Sequence, residues 1–341
     1  MIRTSLRAAA FAALALLGCN KDSSGGAAPA AGPKVALLLA TLQEERYQKD
    51  KRYFEEEATR LGLAPFTLAA DNDNARQLSQ VEDALSRGAK VLAIQPTDSA
   101  AAAAYVAKAH EKGAKVIAYD RAIAGSGADF FVSHDSHKVG VLQAEAAIKA
   151  TGGKGNFVLL DGQSGHSVAM EITRGYHDVL KPYVDRGDVK IIVEKTHDAW
   201  SPEQALKTME DAIAKSGGDI AAVLANNSGM ARGAVQAVQA GGLAGKKIFI
   251  AGADADAANV NYVCEGKQSV EVLKDIKPLA SKAAEVAASL AQGKPVEGSA
   301  TTASGVPTTA VEVILVTADN ARQVLIDSGF HAEKALPACH K

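Results

Sequence analysis

The sequence predicts an α/β protein made of two similar lobes, each built on a doubly wound parallel sheet. Short apolar runs alternate with helical stretches along most of the chain, and this alternation is typical of parallel sheets with helices on both faces. A Gly-Gly-Lys-Gly break at 152–155 interrupts the alternation, which then starts again. At 341 residues the chain is long enough for roughly two domains. Two copies of one architecture imply a cleft between them.

The first half contains five predicted strands separated by helices. The strands are expected at 35–40, 66–70, 91–95, 115–121 and 130–133. Apolar residues at helical spacing predict helices through 53–61, 78–85 and 100–112, each stopped by a glycine, and a further helix at 138–150.

The second half repeats the pattern. Strands are expected at 157–160, 191–194, 222–225, 248–251 and 270–273, and helices at 170–180, 202–214, 230–240 and 278–292. The tail adds short strands near Val306 and at 311–315.

The first residues predict export. Arg3 and Arg7 precede an apolar stretch at 8–17 that is too short to span a bilayer, as in a secretory signal. The stretch ends in Leu16-Leu17-Gly18-Cys19, which resembles a bacterial lipobox. We therefore expect residues 1–18 to be a lipoprotein signal peptide and Cys19 to carry the lipid. Residues 19–33, rich in Ser, Gly, Ala and Pro, are expected to form a flexible tether.

Composition narrows the class of protein. Hydrophobic residues make up 47% and charged residues 22%, as in ordinary globular proteins. The net charge of −2 without a long basic run argues against nucleic acid as a partner. Export places the chain in an oxidising compartment, which permits a disulfide between Cys264 and Cys339. Their sequence positions do not show that they meet.

Polar side chains follow the predicted strands, beginning with Asp120 and Arg121 after the run 115–119. Ligands of open α/β sheets bind outside the carboxyl ends of the strands. An ionised carboxylate only accepts hydrogen bonds and a guanidinium only donates them, and a polyhydroxyl ligand needs both. A simple ion pair at the strand end is the alternative. Carboxylates, amides, cations and aromatics recur at other strand ends: Arg46, Tyr47, Thr97, Asp98, Asp161, Trp200, Asn226, Asn227, Asp254, Asp256 and Lys274.

Trp200 supports a carbohydrate ligand. It is the only tryptophan and lies in a polar loop before a helix rather than in an apolar run. An aromatic face of this kind packs on the apolar C–H face of a sugar ring, while planar polar groups bond neighbouring hydroxyls.

Several segments in this order resemble the periplasmic sugar-binding proteins of ABC importers, over about residues 34–341 and most strongly their xylose-binding members. The segments are Glu45-Arg46-Tyr47-Gln48-Lys49-Asp50, Ala118-Tyr119-Asp120-Arg121, Val179-Leu180-Lys181-Pro182-Tyr183-Val184-Asp185, Gly252-Ala253-Asp254-Ala255-Asp256 and Asp327-Ser328-Gly329-Phe330-His331.

The resemblance implies the type I periplasmic binding protein fold, whose lobes are joined by a three-crossover hinge. We place the crossovers near Asp135, Lys274 and Pro307. The N-terminal lobe is then 34–134 plus 275–306, and the C-terminal lobe is 135–274 plus 307–341. By position, the resemblance implies these ligand-binding residues: Arg46, Tyr47, Asp120, Arg121, Trp200, Asn227, Asp254 and Lys274.

This chain departs from the family pattern at three places. Tyr47 replaces the usual tryptophan, Ser167 and Val168 replace a pair of asparagines, and Ser228 replaces an aspartate. These departures leave the preferred sugar open.

The function that the resemblance implies is capture of a monosaccharide, xylose or a similar aldose, by hinge closure, without a cofactor. The partner would be an ABC permease, and the protein an exported, periplasmic monomer held to the membrane through Cys19. A sensor or chemotaxis component of the same fold, and a binder of a nucleoside or another polyol, are the alternatives. An enzyme is not expected, because no acid–base pair or nucleophile motif is found. No metal is expected either, since Asp254-Ala255-Asp256 lacks further carboxylates and His134 and His137 lack a third ligand.

Overall fold

A computed structural model of the chain describes residues 32–125, 127–302 and 305–339. The predicted signal peptide, the lipidation site Cys19 and most of the predicted tether lie outside the described residues. Within the described ranges, no helix is both long and apolar enough to cross a membrane.

Thirteen strands are formed by the described residues, and their bounds in chain order are as follows. They are β1 (Lys34–Leu39), β2 (Ala64–Ala69), β3 (Val91–Ile94), β4 (Lys115–Tyr119), β5 (Phe130–His134), β6 (Gly155–Asp161), β7 (Val189–Thr196), β8 (Ala222–Ala225), β9 (Phe249–Ala253), β10 (Val270–Lys274), β11 (Ala300–Thr301), β12 (Pro307–Val311) and β13 (Val313–Val316).

The α-helices of the same residues alternate with these strands. They are α1 (Glu45–Arg60), α2 (Asn74–Ser86), α3 (Ala103–Glu111), α4 (Ser136–Thr151), α5 (Ser167–Asp185), α6 (Pro202–Ser216), α7 (Ser228–Ala240), α8 (Ala257–Cys264) and α9 (Ile276–Ala291). Short helical turns follow at Asp198–Trp200, Arg322–Asp327, Glu333–Ala335 and Pro337–Cys339.

The strands form two sheets, one per lobe. The first has the order β11-β12-β5-β4-β3-β1-β2, and the second has the order β13-β10-β9-β8-β6-β7. Apart from the antiparallel pairs β11–β12 and β10–β13, neighbouring strands run parallel. The predicted α/β architecture of two doubly wound lobes is confirmed.

Burial explains why the central strands are apolar throughout. In β1 every residue after Lys34 is buried, because helices cover both faces of the first sheet. Helices α1 and α9 cover one face and α2 and α3 the other. In the edge strand β7, residues 189–194 alternate buried or half-buried with exposed, as expected where one face meets solvent.

Local signals set the helix ends. The Ser201 hydroxyl accepts the backbone N–H of Gln204 and so caps α6, and Pro202 occupies the first helical position. Gly217 ends this helix in a left-handed conformation, with φ of 63°, that a glycine adopts without steric cost.

The chain passes between the lobes three times, and the three passages bond to one another. The first lies at Asp135, between β5 and α4, where the Asp135 carboxylate caps α4 by accepting the N–H of Lys138. The second lies at Asp275, between β10 and α9, and its carbonyl is 2.9 Å from Nε2 of His134. The third lies at Glu312, beside Val311, whose carbonyl accepts the N–H of Asp135.

The third passage corrects one boundary. The sequence predicts this passage near Pro307, with 307–341 in the C-terminal lobe, but β12 pairs in parallel with β5 and therefore belongs to the first sheet. The two strands predicted near Val306 and at 311–315 are β12 and β13, with their bounds shifted, and β13 joins the second sheet by pairing with β10. The composition of an apolar run does not show which sheet the strand joins, because that depends on its pairing partner. Helix α8 was not predicted.

The C-terminal segment is fastened to the second lobe. Cys264, at the end of α8, forms a disulfide with Cys339, with Cα atoms 5.2 Å apart. Leu325 and Leu336 pack with Val260 and Leu273 in a small separate core. The segment therefore extends the second lobe beside the cleft.

Candidate functional site

All eight predicted ligand-binding side chains line one narrow cavity between the lobes. The first sheet and α1 contribute Arg46, Tyr47, Asp120 and Arg121, and Lys274 ends β10 at the second passage between the lobes. The second lobe contributes Trp200, Asn227 and Asp254. Glu44 and Val168 complete the lining. The roles of these side chains in ligand binding remain predictions.

Arg46 is the electrostatic centre of the cavity. It lies in the first turn of α1 and is buried, with Nη2 3.1 Å from Oδ1 of Asp120 and Nε 3.4 Å from Oδ2 of Asp50. Its Nη1 lies 3.6 Å from Oδ1 of Asp254, which belongs to the other lobe. The guanidinium thus bonds two carboxylates of its own lobe and faces a third across the cleft.

Asp120 is held as an ionised acceptor. Burial alone would raise the pKa of its carboxyl, but the charge of Arg46, the neighbouring His134 ring and the charge of Lys274 outweigh burial and hold that pKa well below its usual range. Gln95 donates from Nε2 to Oδ2 at 3.0 Å. The backbone of Asp120 is left-handed, with φ of 60°, a conformation that aspartate tolerates better than most residues.

Arg121 is fixed by groups of the first lobe. Its Nη1 donates to the carbonyl of Pro96 at 3.0 Å and its Nη2 donates to the hydroxyl of Tyr47 at 3.1 Å. Burial raises the pKa of the Tyr47 phenol, which therefore stays protonated at neutral pH. The pair offers a fixed cation and an aromatic edge to the cavity.

Trp200 is placed by an unusual backbone. Its φ of 56°, after a φ of 51° at Ala199, is rare for a bulky residue, and such strain concentrates at functional sites. The indole Nε1 donates to Nδ1 of His166 at 2.7 Å. Gly162 leaves room for the ring, because a Cβ there would lie 2.5 Å from Cη2 of Trp200.

Asn227 and Asp254 follow adjacent strands of the second sheet. Asn227 caps α7, its Oδ1 accepting the N–H of Met230 at 2.8 Å, which leaves its amide N–H groups for other partners. Asp254 has a φ of 97° and forms an ion pair with Lys274, Nζ to Oδ1 2.7 Å. Burial, then the charges of Asp254 and Glu45, raises the pKa of nearby Asp256 to about 6.

The cavity suits a neutral polyhydroxyl molecule. The cations that line it are balanced by carboxylates. A charged ligand of either sign would therefore lie close to a protein charge of the same sign. Hydrogen-bond donors and acceptors line the cavity together with the aromatic side chains of Tyr47 and Trp200, which is the combination that a sugar ring requires. Among residues 32–125, 127–302 and 305–339, no group of three or more His, Cys, Asp or Glu side chains could hold a metal ion.

Other polar groups at strand ends do not line this cavity. The Thr97 carbonyl bonds His166, and the Asn226 side chain accepts the N–H of Gly162 at 2.8 Å. The Asp161 carboxylate accepts from the Thr173 hydroxyl at 2.7 Å and lines a separate surface cavity.

Sequence reasoning missed several supporting residues. Asp50 follows Arg46 by four residues, and on a helix this spacing predicts an ion pair between them. Glu271 was recognisable as a carboxylate within an apolar strand. It is buried under the Asp254 loop, where the Ser228 hydroxyl and the Ala255 N–H donate hydrogen bonds to it. Burial raises the pKa of Glu271 to about 8. His166 gave no signal, because only the folded chain brings it to Trp200.

Two parallel-sheet lobes that share one polar cavity and are joined by three chain passages define a two-lobed ligand-binding architecture. The comparisons with known proteins give the family. Residues 35–295 match the periplasmic binding protein domain.

Two curated relatives are similar over most of their length. The D-xylose-binding periplasmic protein of Escherichia coli K12 is 38% identical over 313 residues, 91% of this chain and 94% of that protein. Its Haemophilus influenzae counterpart is 35% identical over 306 residues, 89% of this chain and 92% of that protein.

A solved structure agrees. The ABC transporter solute-binding protein of Clostridium phytofermentans, with bound β-D-glucose, is 30% identical with a TM-score of 0.82, covering 89% of this chain and 99% of that chain. The chain therefore belongs to the family of periplasmic sugar-binding proteins of ABC transporters.

Proposed function

We propose that this protein captures a monosaccharide, D-xylose or a closely similar aldose, in the cavity between its lobes and presents it to an ABC permease. The observation that carries the proposal is the convergence of eight polar and aromatic side chains from both lobes on one cavity. Two relatives that are named for D-xylose support this choice of sugar.

In this proposal each group has a role that its chemistry suits. Asp120 and Asp254 accept hydrogen bonds from ring hydroxyls, and Arg121 and Lys274 donate to hydroxyl oxygens. Trp200 packs against the ring, with Tyr47 beside it, and Asn227 donates from its amide. Arg46 holds the carboxylates in place and donates to the ring oxygen or a hydroxyl.

Binding is expected to proceed by hinge closure, in which the open form admits the sugar and the closed form gains contacts from both lobes. The three passages near Asp135, Asp275 and Glu312 are the expected pivot, because they are adjacent and bonded to one another. The protein acts as a monomer, and the permease reads the closed form.

We also propose that the protein is exported and anchored through a lipid on Cys19 after removal of residues 1–18. Labelled palmitate should enter the wild-type protein in cells and should not enter Cys19→Ala. Incorporation into both proteins would refute Cys19 as the anchor.

Isothermal titration with D-xylose, D-glucose and D-ribose tests the sugar proposal. We expect D-xylose to bind, and Asp254→Asn to lower its affinity by about 10- to 100-fold, the value of a hydrogen bond to a charged group. Asp327→Asn removes an exposed carboxylate of the same lobe and should leave affinity unchanged. If none of the sugars binds, or if Asp254→Asn binds as tightly as wild type, the proposed site is wrong.

A further inference from the structure

His166 is buried directly before α5, and both nitrogens of its ring are engaged. Nδ1 accepts the indole N–H of Trp200 at 2.7 Å, and Nε2 lies 2.6 Å from the carbonyl oxygen of Thr97. An indole N–H only donates and a carbonyl only accepts. The ring must therefore be neutral, with its proton on Nε2.

The bond between His166 and Thr97 crosses the cleft. Thr97 follows β3 in the first lobe, whereas His166 precedes a helix that packs on the second sheet. Trp200 in turn lines the ligand cavity. One imidazole thus connects the backbone of the opposite lobe to the aromatic ring at the ligand site.

The surroundings of His166 exclude its charged form. A proton on Nδ1 would face the indole N–H, and Arg121 Nη1 is 3.3 Å from Nε2. Two carboxylates are close enough to matter: the charge of Asp120 acts on His166, and Asp98 Oδ2 would lie 2.5 Å from a Cβ at Gly165, the residue before His166. Burial, followed by the Arg121 charge, lowers the pKa of the His166 imidazole to about 3, despite the opposing effects of Thr97 and Asp120.

We propose that His166 is a positioning residue that couples closure of the lobes to the orientation of Trp200, and that closure on a sugar expels a proton from its ring. The inference rests on the proposed function, since a sugar drives the closure. When the lobes separate, Thr97 leaves and water reaches the imidazole, whose pKa then returns to about 6.5.

The size of the effect follows from these two states. At pH 5.5 the exposed imidazole is about nine-tenths protonated and the closed one is neutral, so binding releases about 0.9 proton. If no other group titrated, protonation of His166 in the open form would lower the sugar affinity about 30-fold as the pH falls from 7.5 to 5. Carboxylates that closure buries, such as Asp256, act with the opposite sign and take up protons. Subtracting a variant without the imidazole isolates the contribution of His166.

The first experiment titrates D-xylose calorimetrically in pairs of buffers with different ionisation enthalpies, at pH 5.5 and 7.5. His166→Gln provides an amide that accepts from the indole and donates to the carbonyl but does not titrate. We expect wild type to release about 0.9 proton more than His166→Gln at pH 5.5, with almost no difference at pH 7.5. Equal proton counts at pH 5.5 would overturn the proposal.

A second measurement needs no sugar. Because Trp200 is the only tryptophan, its fluorescence reports this pair alone. Wild-type emission should titrate between pH 4 and 7, and that of His166→Gln should not. Identical titration curves would overturn the coupling. Absence of D-xylose binding at pH 7.5 refutes the choice of sugar instead, and the fluorescence comparison then decides the coupling. If His166→Gln does not fold, His166→Asn replaces it in both experiments.

Discussion

Replacing Arg46 by methionine should destabilise the protein strongly, because this guanidinium neutralises buried carboxylates. Arg46, Asp50 and Asp120 all belong to the first lobe, so their ion pairs persist whether the cleft is open or closed. Arg46→Met keeps the apolar stem and removes the charge. Breaking a buried pair from one side costs about 3–5 kcal/mol, because the remaining charge is left unpaired.

The sign of the pH dependence follows from Asp120. In wild type its folded pKa lies well below the ordinary value, so the pair stabilises the fold above the unfolded pKa of 3.8 and loses that stabilisation as pH falls through the folded pKa. Without Arg46, burial raises the pKa of Asp120. The stability of the variant then falls as pH rises above 4. The gap between the two proteins should be smallest near pH 4 and largest above pH 7.

Urea denaturation of wild type, Arg46→Met, Asp120→Asn and the double variant measures this effect. At pH 7.5 the double variant should be more stable than the two single losses predict when added, with a coupling of about 1–3 kcal/mol. A loss below 1 kcal/mol for Arg46→Met, additive losses, or a gap that does not change between pH 4 and pH 8 would refute the electrostatic account.

Three further predictions concern the ring, the disulfide and the rim. Gly162→Ala should weaken D-xylose binding at least tenfold by displacing Trp200, as measured by calorimetry and by tryptophan emission. Cys264→Ser should lower the free energy of unfolding by about 2–4 kcal/mol, because the bridge closes a long loop, as measured in urea. Lys49→Met should weaken binding about threefold, because Lys49 Nζ lies 4.1 Å from the ring centroid of Phe330 in the other lobe.

Matched variants control these three. Gly245→Ala adds a methyl group where no atom lies within 4 Å, so it should leave binding unchanged. Wild type in reducing buffer should match Cys264→Ser in stability. Arg87→Met removes a cation from the ring of Phe66 within one lobe and should not alter affinity. Loss of D-xylose binding in Gly245→Ala or Arg87→Met would contradict the reasoning. Unchanged binding in Gly162→Ala or Lys49→Met would contradict it as well.

The sequence predicts the sheets well because buried parallel strands are recognisable from a few consecutive residues. A run such as Val35 to Leu39 is apolar throughout, since both of its faces are covered. Polar residues just past such runs lie at the same edge of a sheet for topological reasons. The order of residues along the chain is therefore enough to predict that Asp120 and Asp254 lie at the sheet edges that face the cleft.

Non-local information was less accessible. Pro307 to Val316 contains two adjacent strands that enter different sheets, and nothing in their composition distinguishes the partners. His166 illustrates the same limit at the site, since its importance comes from Thr97 and Trp200, which are 69 and 34 residues away. Local patterns report burial and strand ends, whereas pairing and buried contacts depend on the whole fold.

The contacts between the lobes form two groups, one that affects which sugar is preferred and one that affects the affinity for every sugar equally. Some involve the cavity, such as Arg46 with Asp254, and change when a different sugar enters. Others lie outside it: the Ser99 N–H donates to the Gly165 carbonyl at 3.3 Å, and the Ala122 N–H donates to the Ser167 hydroxyl oxygen at 2.8 Å. The outer contacts contribute equally for every ligand, so they set only the fraction of protein in the closed form. Substitutions at the rim should therefore scale the affinities for all sugars together, whereas substitutions in the cavity should change their order.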